Sequence, residues 1–118
     1  PIMEGKLGSV RIAPQVLTTI ARLTTLSVPG VLRMHQDLSS GVDRLLKGKG
    51  GGGGVHIEVV DDAVTVDLYV IAQPDTNLYE LGLAIQNQVA RAITDLVGMP
   101  VLAVNVHVED VGEASSSG

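Results

Sequence analysis

From residue 101 to residue 109 the chain alternates strictly between an apolar set, Leu102, Val104, Val106 and Val108, and the set Ala103, Asn105, His107 and Glu109. Successive side chains of a strand project to opposite faces, so this pattern predicts a strand with one face on a core and one toward solvent. Residues 63–72 repeat it, with Val64, Val66, Leu68 and Val70 on the apolar face and Thr65, Asp67 and Tyr69 on the polar one. Residues 55–60 precede them, and the intervening Asp61-Asp62 predicts a hairpin. Shorter runs at 10–12 and 31–35 also read as strands.

Helical spacing governs the rest. Val16, Leu17, Ile20, Leu23 and Leu26 form a stripe after Pro14, which suits the first turn, and Val28-Pro29-Gly30 ends that helix. Residues 77–97 carry Leu78, Leu81, Ile85, Val89, Ala92, Ile93 and Leu96 on one face. Asn77, three residues before Glu80, resembles a capping box there. Some 21 residues rising about 1.5 Å each make a helix of about 31 Å, enough to cross a sheet. A shorter helix is predicted over 38–46, where Val42, Leu45 and Leu46 share a face and Ser39 or Ser40 caps it. Residues 47–54 contain six glycines in eight positions, so no regular structure is expected and the loop length should matter little to stability.

Strands and helices mixed in this way predict an α/β protein of the α+β type. Its architecture is a two-layer sandwich with helices on one face of a mixed or largely antiparallel sheet. There is no internal repeat. A single domain is expected over residues 7–111, with a disordered N-terminus at 1–6 and a disordered tail at 112–118.

Composition narrows the function. The chain has no cysteine, which removes disulfides, thiolate chemistry and Cys-based zinc sites. Phe and Trp are absent and the aromatic residues are Tyr69 and Tyr79, so the core is aliphatic and base stacking has little to work with. No apolar run reaches the roughly 20 residues that span a bilayer, and the first residues lack a secretory pattern. The net charge of -5 is unevenly placed: residues 1–49 hold seven basic residues and three acids, whereas residues 50–118 hold Arg91 against ten acids. A basic front and an acidic remainder suit complementary self-association, or an acidic partner contacting the first half through Arg22, Arg33 and Arg44.

Several segments together resemble the alkaline shock protein family of Gram-positive bacteria, often labelled envelope stress response proteins. The resemblance rests on Gly8-Ser9-Val10-Arg11-Ile12-Ala13-Pro14-Gln15-Val16-Leu17, Val28-Pro29-Gly30-Val31 and Val66-Asp67-Leu68-Tyr69-Val70, followed by Gln86-Asn87-Gln88-Val89 and Val104-Asn105-Val106-His107-Val108. These landmarks keep the family's order across residues 7–111. Two features depart from it: Gln73-Pro74-Asp75 stands where the family commonly has a Tyr-Gly pair, and the pentaglycine run is peculiar to this chain. The resemblance implies a non-enzymatic cytoplasmic protein of cell-envelope homeostasis or of the alkaline or general stress response. It would act through protein contacts, associate with itself, and sit at the membrane periphery through a separate anchor protein. The family offers no catalytic residues to carry over.

The remaining candidates for chemistry are surface residues. Gly48-Lys49 lacks the first Gly and the Ser or Thr of a Walker loop, and the matches of residues 48–53 to Gly-x-Gly-x-x-Gly or to a KH clamp are trivial in a glycine tract. His56, Glu58, Asp67, Tyr69, Asn105 and His107 lie on polar strand faces that converge if the last strand neighbours the hairpin, and with Arg22, Arg33 and Arg44 they are the candidate interaction surface. A His and carboxylate cluster there makes a small metal-binding protein or a hydrolase the alternative, and a KH-like nucleic-acid module a weaker one. Solvated sheet faces carry the same residue types, so no metal, cofactor or nucleic acid is expected.

Overall fold

A computed structural model describes residues 7–36 and 51–112 of the chain. The centre of the sheet is the strand formed by Ala63–Ala72, in which Val64, Val66, Leu68 and Val70 are wholly buried. In chain order the elements are α1 (Pro14–Leu26), β1 (Val31–Met34), β2 (Gly51–Gly52), β3 (Val55–Val60), β4 (Ala63–Ala72), α2 (Leu78–Val97) and β5 (Val101–Val111). β1 and β3 run antiparallel to β4, β2 runs antiparallel to β3, and β5 runs parallel to β4, so the sheet is mixed. Because β5 takes one edge of β4 along almost its whole length, β1 and β3 share the other edge end to end. The parallel pair is joined by α2, the crossover such a pair requires.

Both helices cover one sheet face. Leu81, Ile85, Val89 and Ile93 of α2 and Leu17 and Ala21 of α1 enter the same core as the buried valines of β4. The fold class and the two-layer arrangement agree with the sequence pattern. The α2 helix begins where Asn77 predicts, its side chain accepting the Glu80 amide at 3.0 Å, and it ends on Gly98 in the left-handed conformation.

The pattern misplaces several side chains. In α1 the buried positions are Leu17, Thr18, Ala21 and Thr25, while Val16, Leu23 and Leu26 of the expected stripe are exposed. Ala21 is fully buried, and the buried Thr25 hydroxyl satisfies itself by donating to the Ala21 carbonyl at 2.7 Å. On α2, Leu78 and Leu96 are exposed at the two ends of the stripe.

Strict alternation also fails at both ends of β5. Val64 pairs with Val101 but Thr65 with Ala103, leaving Leu102 as the extra residue of a bulge. Leu102 is therefore 67% exposed instead of facing the core, and Val101 takes the core side beside Val104, Val106 and Val108. A second shift places Asp110, not Glu109, opposite Ile71. The expected strand at 10–12 does not form: its residues are irregular and exposed, because a three-residue run with no partner strand gains no ladder. The helix expected over 38–46 lies outside the described residues.

Part of the glycine run is ordered, against expectation. Gly51 and Gly52 pair with His56 and Val55, and the two-residue loop Gly53-Gly54 has φ of +63° and +83°. A Cβ on Gly54 would stand 2.8 Å from the Tyr69 carbonyl oxygen and 2.9 Å from that of His35. Here β1 and β3 meet along β4, and the absence of a side chain is what lets three backbones converge.

Candidate interaction surfaces

The face of the sheet away from the helices has no layer over it among the described residues. Cross-strand neighbours share a face, so the register sets its side chains in rows. His56, Asp67 and Asn105 form one row, with Glu58, Thr65 and Ala103 on one side of it and Tyr69 with His107 on the other. The sheet thus brings together the six sheet residues singled out from the sequence. Within them one cluster is tight. His107 Nε2 donates to Asp67 Oδ1 at 3.2 Å, and the imidazole stacks on the Tyr69 ring with centroids 4.4 Å apart and planes 10° apart. His107 and Asp67 are 41% and 24% exposed, so the pair is partly solvated.

A His–Asp pair can hold a proton or contribute two ligands, but a metal site needs more. No group of three or more His, Cys, Asp or Glu is placed to hold an ion among the described residues. Glu58 lies a row away from the pair, and His56 is beside Asp67 without a recorded bond to it.

The arginines lie elsewhere. Arg22 of α1 and Arg33 of β1 border one groove of about 590 Å³, with Leu26, Met34 and Ile71 among its apolar lining. His35, unremarkable in the sequence, lines it too. Among the described residues neither arginine has a carboxylate within salt-bridge distance. Arg44 lies outside the described residues. The groove could not be read from periodicity, because it forms where α1 packs directly against β1 and β3, and local spacing does not specify that packing. The one signal for it was the excess of basic residues in the first half.

These features define a small two-layer α+β protein whose polar chemistry is spread over a sheet face left uncovered among the described residues and an arginine-lined groove. The chain belongs to the alkaline shock protein 23 (ASP23) family, described as having a cell envelope-related function, whose model matches residues 3–112. Among curated relatives it is 32% identical to the uncharacterized protein Spy1535 of Streptococcus pyogenes over 107 residues, covering 89% of this chain and 80% of that one. It is 26% identical to the uncharacterized protein YqhY of Bacillus subtilis over 105 residues, covering 89% of this chain and 78% of the other. Among solved structures it is similar in fold to the zinc form of a MamM CTD variant, with a TM-score of 0.51 at 12% identity over 87% of this chain and 91% of that chain. The manganese form of another variant gives 0.50 at 11% identity, covering 81% and 96%. Neither the family description nor the relatives' names carry an enzymatic activity. No helix among the described residues is long and apolar enough to cross a membrane.

Proposed function

We infer that this is a non-enzymatic, self-associating protein of cell-envelope homeostasis or the alkaline or general stress response, acting through protein contacts. Its working unit is a single domain over residues 7–111, cytoplasmic and held at the membrane periphery by a partner protein. The observation that carries the reading is the juxtaposition of Arg22 and Arg33, uncompensated among the described residues, in a chain whose residues 50–118 are strongly acidic. Exposed charges arranged in this way favour association between unlike surfaces and lose that effect when screened. The family's envelope-related description supplies the setting.

Sedimentation velocity across ionic strengths that shorten the Debye length from about 30 Å to about 3 Å tests it. Association that declines as salt rises is expected; a protein that is monomeric throughout would remove the reading.

The contact between His107 and Asp67 favours a second reading, a metal-binding protein using the open sheet face. The zinc and manganese forms of the MamM CTD give that reading a precedent on a similar fold. Calorimetric titration with zinc decides it: stoichiometric binding, lost in the His56→Ala, His107→Ala double variant, would support the metal site over the scaffold.

A further inference from the structure

The self-association just inferred leaves open which surfaces meet. We propose that the tip of the β3–β4 hairpin of one copy docks into the Arg22–Arg33 groove of a second copy, head to tail. The inference rests on the self-association reading and names its contact.

The tip is an acid-ended apolar knob. Val59 and Val60 are exposed immediately before the turn, and the turn consists of Asp61 and Asp62, both exposed. Their φ angles are 53° and 64°, in the left-handed region that favours glycine or asparagine. A two-residue hairpin loop with both φ positive is served better by Asn-Gly. Aspartate is tolerated in this region, and two in succession concentrate negative charge at the exposed tip.

The groove has the complementary character. Leu26, Met34 and Ile71 supply apolar lining, and Arg22, Arg33 and His35 stand around it. An inserted tip would set valine side chains against the apolar lining and two carboxylates against two guanidinium groups. Arginine suits that role because its planar fork of donors matches a carboxylate.

A single copy cannot satisfy itself in this way. The hairpin turn precedes Ala63 at one end of β4, whereas the groove contains Ile71 near the other. Eight residues of strand at about 3.3 Å each separate these positions by about 26 Å. Each copy therefore offers a tip at one end and a groove at the other. Contacts between unlike surfaces close into a ring or continue as a filament.

Two variants separate the halves of the contact. Asp61→Asn with Asp62→Asn removes the charge of the tip while keeping residues that tolerate positive φ. Arg22→Glu with Arg33→Glu reverses the groove. Circular dichroism and thermal melting establish that both remain folded, and sedimentation velocity reads their assembly. Each variant alone should need a roughly tenfold or higher concentration to assemble, since charged contacts are lost from the interface. Mixed together they should form a one-to-one complex and nothing larger, because only the intact tip of the groove variant meets the intact groove of the tip variant. Assembly of either variant like the parent, or a mixture that stays monomeric, would overturn the proposal. A parent that associates while the tip variant is unaffected would leave the self-association reading standing. A parent that never associates would remove both.

Discussion

Gln86 of α2 donates its side-chain N–H to the carbonyl of Val104 in β5, at 3.0 Å across the boundary between the helical layer and the sheet. β5 pairs with β4 alone among the described strands, so it presents an edge on its other side. Unpaired edge groups invite other strands unless they are blunted. Gln86 is exposed on its helix and still serves the sheet, tying the crossover helix to the strand it leads into.

Gln86→Ala should therefore cost about 1 kcal/mol, the usual net value of a hydrogen bond, in urea unfolding. Asn87→Ala, one position along on the same exposed stretch, is the control. Equal effects of the two substitutions would show that the Gln86 bond contributes nothing.

Gly54→Ala is expected to destabilise the protein by roughly 2 kcal/mol or more, since a Cβ would meet two carbonyl oxygens and the residue has positive φ. Shortening the run at residue 50, outside the described residues, should change stability little by the slow growth of loop entropy with length. Chemical denaturation of the two variants distinguishes an ordered junction at Gly54 from a passive connector.

The bulge at Leu102 makes a prediction opposite to that of the alternating pattern. Leu102→Ser should lie within about 0.5 kcal/mol of the parent, whereas Val104→Asp should unfold the domain by placing an unpaired charge in the core. Val104 is 7% exposed against 67% for Leu102. Val106→Asp should follow Val104→Asp, because Val106 packs on the core from the same face. His107→Ala, on the other face, should cost no more than about 1 kcal/mol from the lost ring contact with Tyr69. Thermal melts of the four variants test the register.

Asp61→Asn with Asp62→Gly should raise stability by about 1 kcal/mol, because the pair matches the turn that both positive φ angles require. If the same change also weakens assembly, stability and association part company at the hairpin tip. A fall in stability would mean that the aspartates are held by contacts the backbone angles do not express.

Much of the secondary structure is legible along the chain because it depends on local periodicity and end signals. The bounds of β3 and β4, the capped start of α2 at Asn77 and its end at Gly98 follow from alternation, capping and glycine chemistry. Membership of the polar face follows for the same reason: residues two apart on a strand share a side wherever no bulge intervenes. Within each strand the polar side chains could be assigned to one face from alternation, but that Asn105 and His107 lie beside Asp67 and Tyr69 depended on β5 pairing with β4. The arginine groove could not be assigned in this way, because its walls come from α1, β1, the Gly53 turn and β4, brought together by the sheet order and by the packing of α1 on it.

What the sequence determined by itself is therefore the principal helices α1 and α2 and strands β3, β4 and β5, the aliphatic core, the absence of cysteine chemistry and the division of charge between the two halves. Each of these depends on residue types and spacings within a short window. Tertiary structure decided which edge of β4 each strand occupies, where β5 bulges, which side of α1 is buried, and that Gly54 lies where three backbones meet. These are outcomes of packing, in which one extra residue in a ladder turns Leu102 to solvent, and α1 buries Leu17 and Ala21 while Val16, Leu23 and Leu26 stay exposed. Local periodicity carries no information about such choices, because they are made by the partner strand and the opposing helix.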